Sequence, residues 1–410
     1  MIPGVSTPGH DTLSWTLLRP PRLRTLDDDG ERHASWLELF FDVVFVVAIA
    51  QLAHELVLDH SLHGFAVFVA LFLPVFIAWQ GFTIYADRFD TDDTVFRLAI
   101  FAAMLAIAAL AVQVPDVAHG ASTGFVVAYV VLRSLMVALY LRSYRHVPQA
   151  RPLIARYAAG YSLGSAVWLA SLAFAAPGRY AFWGIALAWE YSLPVLFRRF
   201  HAAIPVSTSH VPERFALFTI IVLGETIVAV ALGTSGSDWA LEAAVAGALG
   251  FVAAASLWWI YFGTGAGMEM RPTTQAILVF THFHIPVLAA LTVVSAGVAL
   301  AIQQAPGHLD DGARWALGAG AAVYLVCLTV AQRALVRGVS RRKVVARAAT
   351  TLALLVLALA GAKLPTVAFV AATAAILLAL VVFEMWAYRR AQAAQRRDVS
   401  GREIPASSSP

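Results

Sequence analysis

The chain has 410 residues, 60% hydrophobic and only 13% charged, with a formal net charge of +4 and a mean hydropathy of +0.73. Soluble domains run near about 25% charged, so this composition excludes a water-soluble protein and leaves no long polar region for a second, soluble domain. The one cysteine, Cys327, sits in an apolar run, which leaves no disulfide, CxxC redox pair or cysteine-based metal site.

Along the chain, the N-terminal 30 residues are polar and contain proline and arginine; they lack the apolar core and cleavage site of a signal peptide. Residues 1–35 are therefore read as a cytoplasmic N-terminal segment. A membrane span needs about 20 apolar residues, and twelve segments qualify: 36–57, 62–85, 95–114, 122–144, 152–175, 179–200, 213–233, 239–262, 272–302, 311–335, 345–362 and 365–390. The 345–362 span is short, and 272–302 is long enough to tilt or break. The expected fold is all-α, a polytopic transmembrane helical bundle of about twelve spans. Ten spans, with two weak segments in the interface, is the alternative. Alternate loops together with both termini hold 25 basic residues, against three in the opposite loops. That asymmetry predicts an even span count with both termini in the cytoplasm.

The first and seventh spans begin alike. Glu31-Arg32 precedes WLELFFDVV, and Glu213-Arg214 precedes FALFTIIVLGETIV, so Asp42 falls over Glu225. Trp79 and Trp258 then correspond in the following spans, as do Phe101 and Phe280. The echo predicts two parallel six-helix repeats, 36–200 and 201–390, ahead of a disordered cytoplasmic tail at 391–410.

Charged groups inside lipid cost at least about 2.5–3.5 kcal/mol, so intramembrane acids mark candidate sites. Glu38 and Asp42 are four residues apart and share a helix face; two close carboxylates suit a proton or cation site. In the bland reading Glu38 is solvated or pairs with Arg32, while Asp42 bonds a neighbouring helix. Glu225 sits beside Gly224, and Arg133 is its candidate structural partner. Glu190 and His282 each precede a proline by four residues, Pro194 and Pro286, which frees their carbonyls and points to broken helices. His284 projects opposite His282, and neither completes a metal motif. Gln51, His54 and Glu55 end the first span on its outer side; Gln51 lies roughly opposite Asp42 around the helix, and His54 and Glu55 are read as interfacial. In the loop motif Asp87, Arg88, Asp90, Asp92 and Asp93, the acids lack EF-hand spacing. The reading favoured there is that Thr91 or Asp92 caps the third helix and Arg88 anchors the interface. The basic run Arg341-Arg342-Lys343 and the arginine-rich tail suit anionic membrane lipids rather than nucleic acid.

Several segments resemble the bacterial low temperature requirement A (LtrA) family: SWLELFFDVVFVVAIAQL at 35–52, DRFDTDD at 87–93, PERFALFTIIVLGETIVAV at 212–230, LWWIYF at 257–262 and HIP at 284–286. The resemblance implies a polytopic membrane protein of the bacterial plasma (inner) membrane, named for a need during growth in the cold, without an established reaction. Thr226 stands where relatives tend to have serine. A slighter resemblance, FFD in the first of six helices per half, is to the potassium channels with an FSD motif, with Phe41 in place of serine. The expected function is a proton-coupled secondary transporter of an unknown small solute or ion, with Glu38, Asp42, Glu190, Glu225, His282 and His284 as candidate sites. A cation channel, a lipid-active enzyme and a non-transporting sensor are the other classes. No nucleophile–base set or metal motif points to an enzyme, and neither a cofactor nor a metal is expected.

Overall fold

The computed structural model describes residues 18–23, 34–90, 92–201, 204, 206–207, 209–237, 239–263, 271, 273–336 and 339–402, without the side chains of Asp90 and of residues 394–402. Long helices follow one another almost without interruption: α1 Trp36–Leu58, α2 Leu62–Arg88, α3 Thr94–Val112, α4 Thr123–His146, α5 Arg151–Ala170, α6 Gly178–Leu196, α7 His210–Gly236, α8 Leu241–Phe262, α9 Thr274–Gln303, α10 Asp311–Leu335, α11 Arg341–Ala360 and α12 Thr366–Arg402. Among the described residues, ten of these are long and apolar enough to cross a membrane. The exceptions are α5 and α6. They lie where the fifth and sixth spans are expected and pack against each other, but polar and small residues thin their apolar content.

Polar caps set the helix starts. Ser35 forms a capping box with Glu38, and Ser61, Thr273, Asp310 and Ser340 accept first-turn N–H groups of α2, α9, α10 and α11. The cap of α3 is Asp93, one residue beyond the expected Thr91 or Asp92. Thr91 lies outside the described residues, and Asp92 instead pairs with Arg97 at 2.7 Å. Asp93 accepts from Phe96 N–H at 2.9 Å, Arg19 N–H at 2.9 Å and Arg142 at 2.5 Å. A two-residue strand pair, β1 Arg22–Leu23 with β2 Phe89–Asp90, holds the N-terminal segment on the same corner. Burial alone would raise the Asp93 carboxyl, but Arg142 and the two N–H donors hold it below the usual range. This contribution is full above the unfolded value of about 3.9 and is lost as pH falls through the lower folded one. The thermal midpoint of wild type in detergent should therefore drop below about pH 4, and Asp93→Asn should show a smaller drop.

Two runs of six helices share most of their neighbours, although α2 also packs on α4 in the first run and α8 on α9 in the second. In the first, α1 packs on α2 and α3, then α3 on α4, α4 on α5, α5 on α6, and α2 on α6. In the second, α7 packs on α8 and α9, then α9 on α10, α10 on α11, α11 on α12, and α8 on α12. The halves meet where α1 and α2 touch α7 and α9. At one end of that seam His60, in the α1–α2 turn, bonds Asp310 at 2.8 Å. Gly312 sits so close that a Cβ there would lie 2.2 Å from the His60 carbonyl oxygen.

The expected breaks at proline are not found. Helices α6 and α9 run through Pro194 and Pro286, and α2 through Pro74. Neighbouring helices tolerate the missing hydrogen bond. The last helix continues to Arg402, into the segment expected to be a disordered tail; residues 403–410 lie outside the described residues.

Candidate functional site

Two polar assemblies stand out in the apolar interior. The first is an ionic clamp at the seam. Asp42, on the buried face of α1 and 0% exposed, accepts from Trp79 Nε1 of α2 at 2.7 Å and from Arg214 of α7 at 2.6 Å. Arg214 also reaches Glu38, Nη1 to Oε1 at 2.9 Å, and the Glu38 carbonyl at 3.4 Å. His210, one turn earlier on α7, places Nε2 3.5 Å from the same Glu38 Oε1 and bonds Asp87 of α2 through Nδ1 at 3.0 Å. Asp87 Oδ2 takes Ser207 N–H at 2.9 Å. Acid and base thus alternate, Asp42–Arg214–Glu38–His210–Asp87, and stitch α1, α2 and α7 together. The one-turn spacing of Glu38 and Asp42 lets one guanidinium bridge both carboxylates. The sequence-predicted partner of Glu38, Arg32, lies outside the described residues.

The second assembly surrounds a cavity of about 190 Å³ between α2, α4, α5 and α6 of the first half and the start of α9. It lies toward the ends of those helices that the charge pattern assigns to the cytoplasm. Glu190 forms its α6 wall, 2% exposed. Its Oε2 pairs with Arg133 of α4 and accepts the Tyr129 hydroxyl at 2.6 Å, while Tyr129 accepts from Arg133 Nε at 2.9 Å. The Arg133 guanidinium also lies 4.9 Å from the Tyr161 ring centroid. Glu190 Oε1 has no hydrogen-bond partner among the described residues. Arg133 therefore pairs with Glu190, not with Glu225 as expected. Glu225 is half-buried on α7 with no ion-pair partner among the described residues.

Arg88, expected at the interface, is instead 2% exposed on the cavity wall beside Tyr140 and Tyr157. Its Nε and Nη1 lack hydrogen-bond partners, and its guanidinium lies 5.9 Å from the Tyr157 ring centroid. The expectation failed because Arg88 ends α2 within the bundle rather than in a surface loop. His201, in the linker after α6, shares a 2.9 Å hydrogen bond with the Tyr157 hydroxyl. Burial, then the Arg88 charge, pull His201 down to about 3, so its ring is neutral. His282 lines the cavity from α9, with Nε2 3.3 Å from the Tyr191 carbonyl of α6. His284 points away, as its spacing predicts, and is buried against Tyr261, 2.9 Å from its hydroxyl.

Of the six sequence candidates, then, Glu190 and His282 share the cavity, Glu38 and Asp42 share the clamp, and Glu225 and His284 join neither. The aligned residues of the internal echo also differ in setting. Trp79 is fully buried while Trp258 is 41% exposed, and Phe280 is buried while Phe101 is exposed. Sequence reasoning missed Arg214, His210 and the tyrosines as site members. It also missed a third buried pair, Arg347 with Glu384 at 2.7 Å, in which Lys343 joins at 3.5 Å rather than facing lipid headgroups. A second, larger cavity of about 1070 Å³ is an apolar groove toward the opposite end, between α2, α6, α9 and α10. It shares Ile77 and Tyr191 with the polar cavity as common walls.

Spans tied by buried ion pairs around a polar cavity define a polytopic helical membrane protein with an internal polar site. The chain belongs to the bacterial low temperature requirement A family, whose model matches residues 33–382. The match takes in every residue of the clamp and the cavity. The chain is also similar to an uncharacterized protein of Rhizobium meliloti (strain 1021), at 30% identity over a 295-residue alignment that covers 66% of this chain and 70% of that one.

Proposed function

We propose that the protein is a secondary transporter of the bacterial plasma membrane, proton-coupled, with twelve spans in two parallel six-helix halves and both termini in the cytoplasm. The carrying observation is the cavity between the halves with a buried, half-satisfied Glu190 on its wall. The largely shared neighbours of the two helix runs support the two-half architecture, and the seating of α5 and α6 against their neighbours supports counting them as spans. Binding sites at the interface of repeats are the common arrangement in carriers. Coupling follows from Glu190. A proton added at Oε1 would cancel the charge that balances Arg133 and loosen the link between α4 and α6. Asp42 is the weaker proton carrier, because it is enclosed by Arg214 and Trp79 and does not line the cavity. The cation-channel reading is disfavoured by Arg88, whose buried positive charge would repel a cation at the cavity.

The test uses proteoliposomes with an imposed pH gradient and an internal pH dye, challenged with a panel of small organic anions, cations and neutral solutes. Wild type should discharge the gradient when its solute is added, and Glu190→Gln should lose that solute-dependent proton movement. Wild-type vesicles that respond to no solute, or a Glu190→Gln variant that couples normally, would remove the proposal.

A further inference from the structure

We infer that the tyrosine-lined cavity binds a small organic anion, with its carboxylate held by Arg88 and the first turn of α9; this deepens, and rests on, the reading of the cavity as a solute site. The argument begins with charge. Among the described residues no carboxylate lies within ion-pair distance of Arg88; the Tyr140 and Tyr157 hydroxyls interact with its guanidinium, yet Nε and Nη1 are buried without a hydrogen bond. A buried cation left in that state is costly. The C-terminal end of α2 favours a cation there, but a helix end offers only a fraction of what a bound carboxylate supplies. The other ionic groups of the cavity do not meet the need: Glu190 is engaged by Arg133 and Tyr129, and His201 is neutral.

A second feature points the same way. The 30-residue helix α9 begins at the cavity, with Thr273 as its cap and Thr274 and Ile277 on the wall. Its positive end and first-turn N–H groups therefore face the same space as Arg88. Shape and lining then select the anion. One positive charge with no carboxylate partner among the described residues matches a monoanion better than a dianion. Ile77, Ile84, Ile277 and Leu278 provide apolar wall that an inorganic anion would leave uncovered. An apolar cavity of about 150 Å³ accepts benzene, so about 190 Å³ suits a molecule of roughly that size carrying one carboxylate. Arg guanidinium binds carboxylates through charge-assisted hydrogen bonds, and Arg88 has two nitrogens, Nε and Nη1, without a partner.

The experiment is titration calorimetry on the purified full-length protein in detergent with three probes: benzoate, its uncharged near-isostere benzamide, and inorganic phosphate. Benzoate should bind saturably, with benzamide and phosphate at least about tenfold weaker, as the loss of a charge-assisted pair predicts. Arg88→Gln should lose benzoate binding, and Arg88→Lys should keep part of it. Ile277→Trp, which fills the cavity without touching Arg88, should also abolish binding, so the idea stays open to refutation if Arg88→Gln does not fold. No saturable benzoate binding, equal binding of benzamide, tighter binding of phosphate, or retention in Arg88→Gln would each overturn the inference. Benzoate binding without any solute-driven proton movement in vesicles would sink the transporter reading and leave this one standing. Solute-driven proton movement without benzoate binding would do the reverse.

Discussion

Arg214→Met is expected to destabilise the protein by about 3–5 kcal/mol, the cost of breaking a buried pair from one side. It strands two carboxylates at once, Glu38 and Asp42, in a seam where Asp42 has no access to water. The loss should appear as a fall of the thermal midpoint in detergent and as aggregation on size exclusion. The triple change Glu38→Gln, Asp42→Asn, Arg214→Met should recover much of that loss, because removing all the charges together is often neutral. If Arg214→Met alone leaves the midpoint within about 0.5 kcal/mol of wild type, the range of an ordinary surface change, the clamp does not hold the halves together.

The second large effect concerns Arg133. Arg133→Met should also cost about 3–5 kcal/mol, since it leaves Glu190 charged and buried with the Tyr129 hydroxyl as its remaining donor. Pairing it with Glu190→Met should restore most of the stability but none of the solute-dependent proton movement. That split separates a working acid from structural glue: if the double variant still couples, Glu190 serves the scaffold alone. The same comparison made at the Arg347–Glu384 pair, away from both cavities, gives the scale for a purely structural bridge.

Span positions were largely legible in the sequence, because lipid demands long apolar runs and the chain supplies them at nearly the lengths observed. Depth of burial was legible too: Glu38, Asp42 and Glu190 stood out as acids where acids are expensive, and all three are buried. Partners were not legible. Arg214 lies 172 residues from Asp42, and nothing in periodicity says which helices touch across a bundle. Arg88 was misread for a related reason. An arginine at a helix end beside acids looks the same in sequence whether the end meets water or an internal cavity. The proline signals misled because spacing shows a lost hydrogen bond, whereas continuity depends on support from helices packed alongside. The residues that the internal echo aligns sit in different settings, Trp79 buried and Trp258 exposed, since alignment along the chain says little about what each side chain meets across the bundle.

The seam between the halves is unequal along its two margins. One margin is fastened by the alternating charges near Arg214 and by the His60–Asp310 bond at the far end, both involving α1 and α2 or the turn that joins them. On the other, α6 meets α9 where the His282 ring abuts Tyr191, at 4.7 Å between centroids, and Tyr191 with Ile77 walls off the polar chamber from the greasy cleft beyond. Tyr191 and Ile77 are thus the side chains that stand between the two chambers, on the margin that carries no ion pair among the described residues.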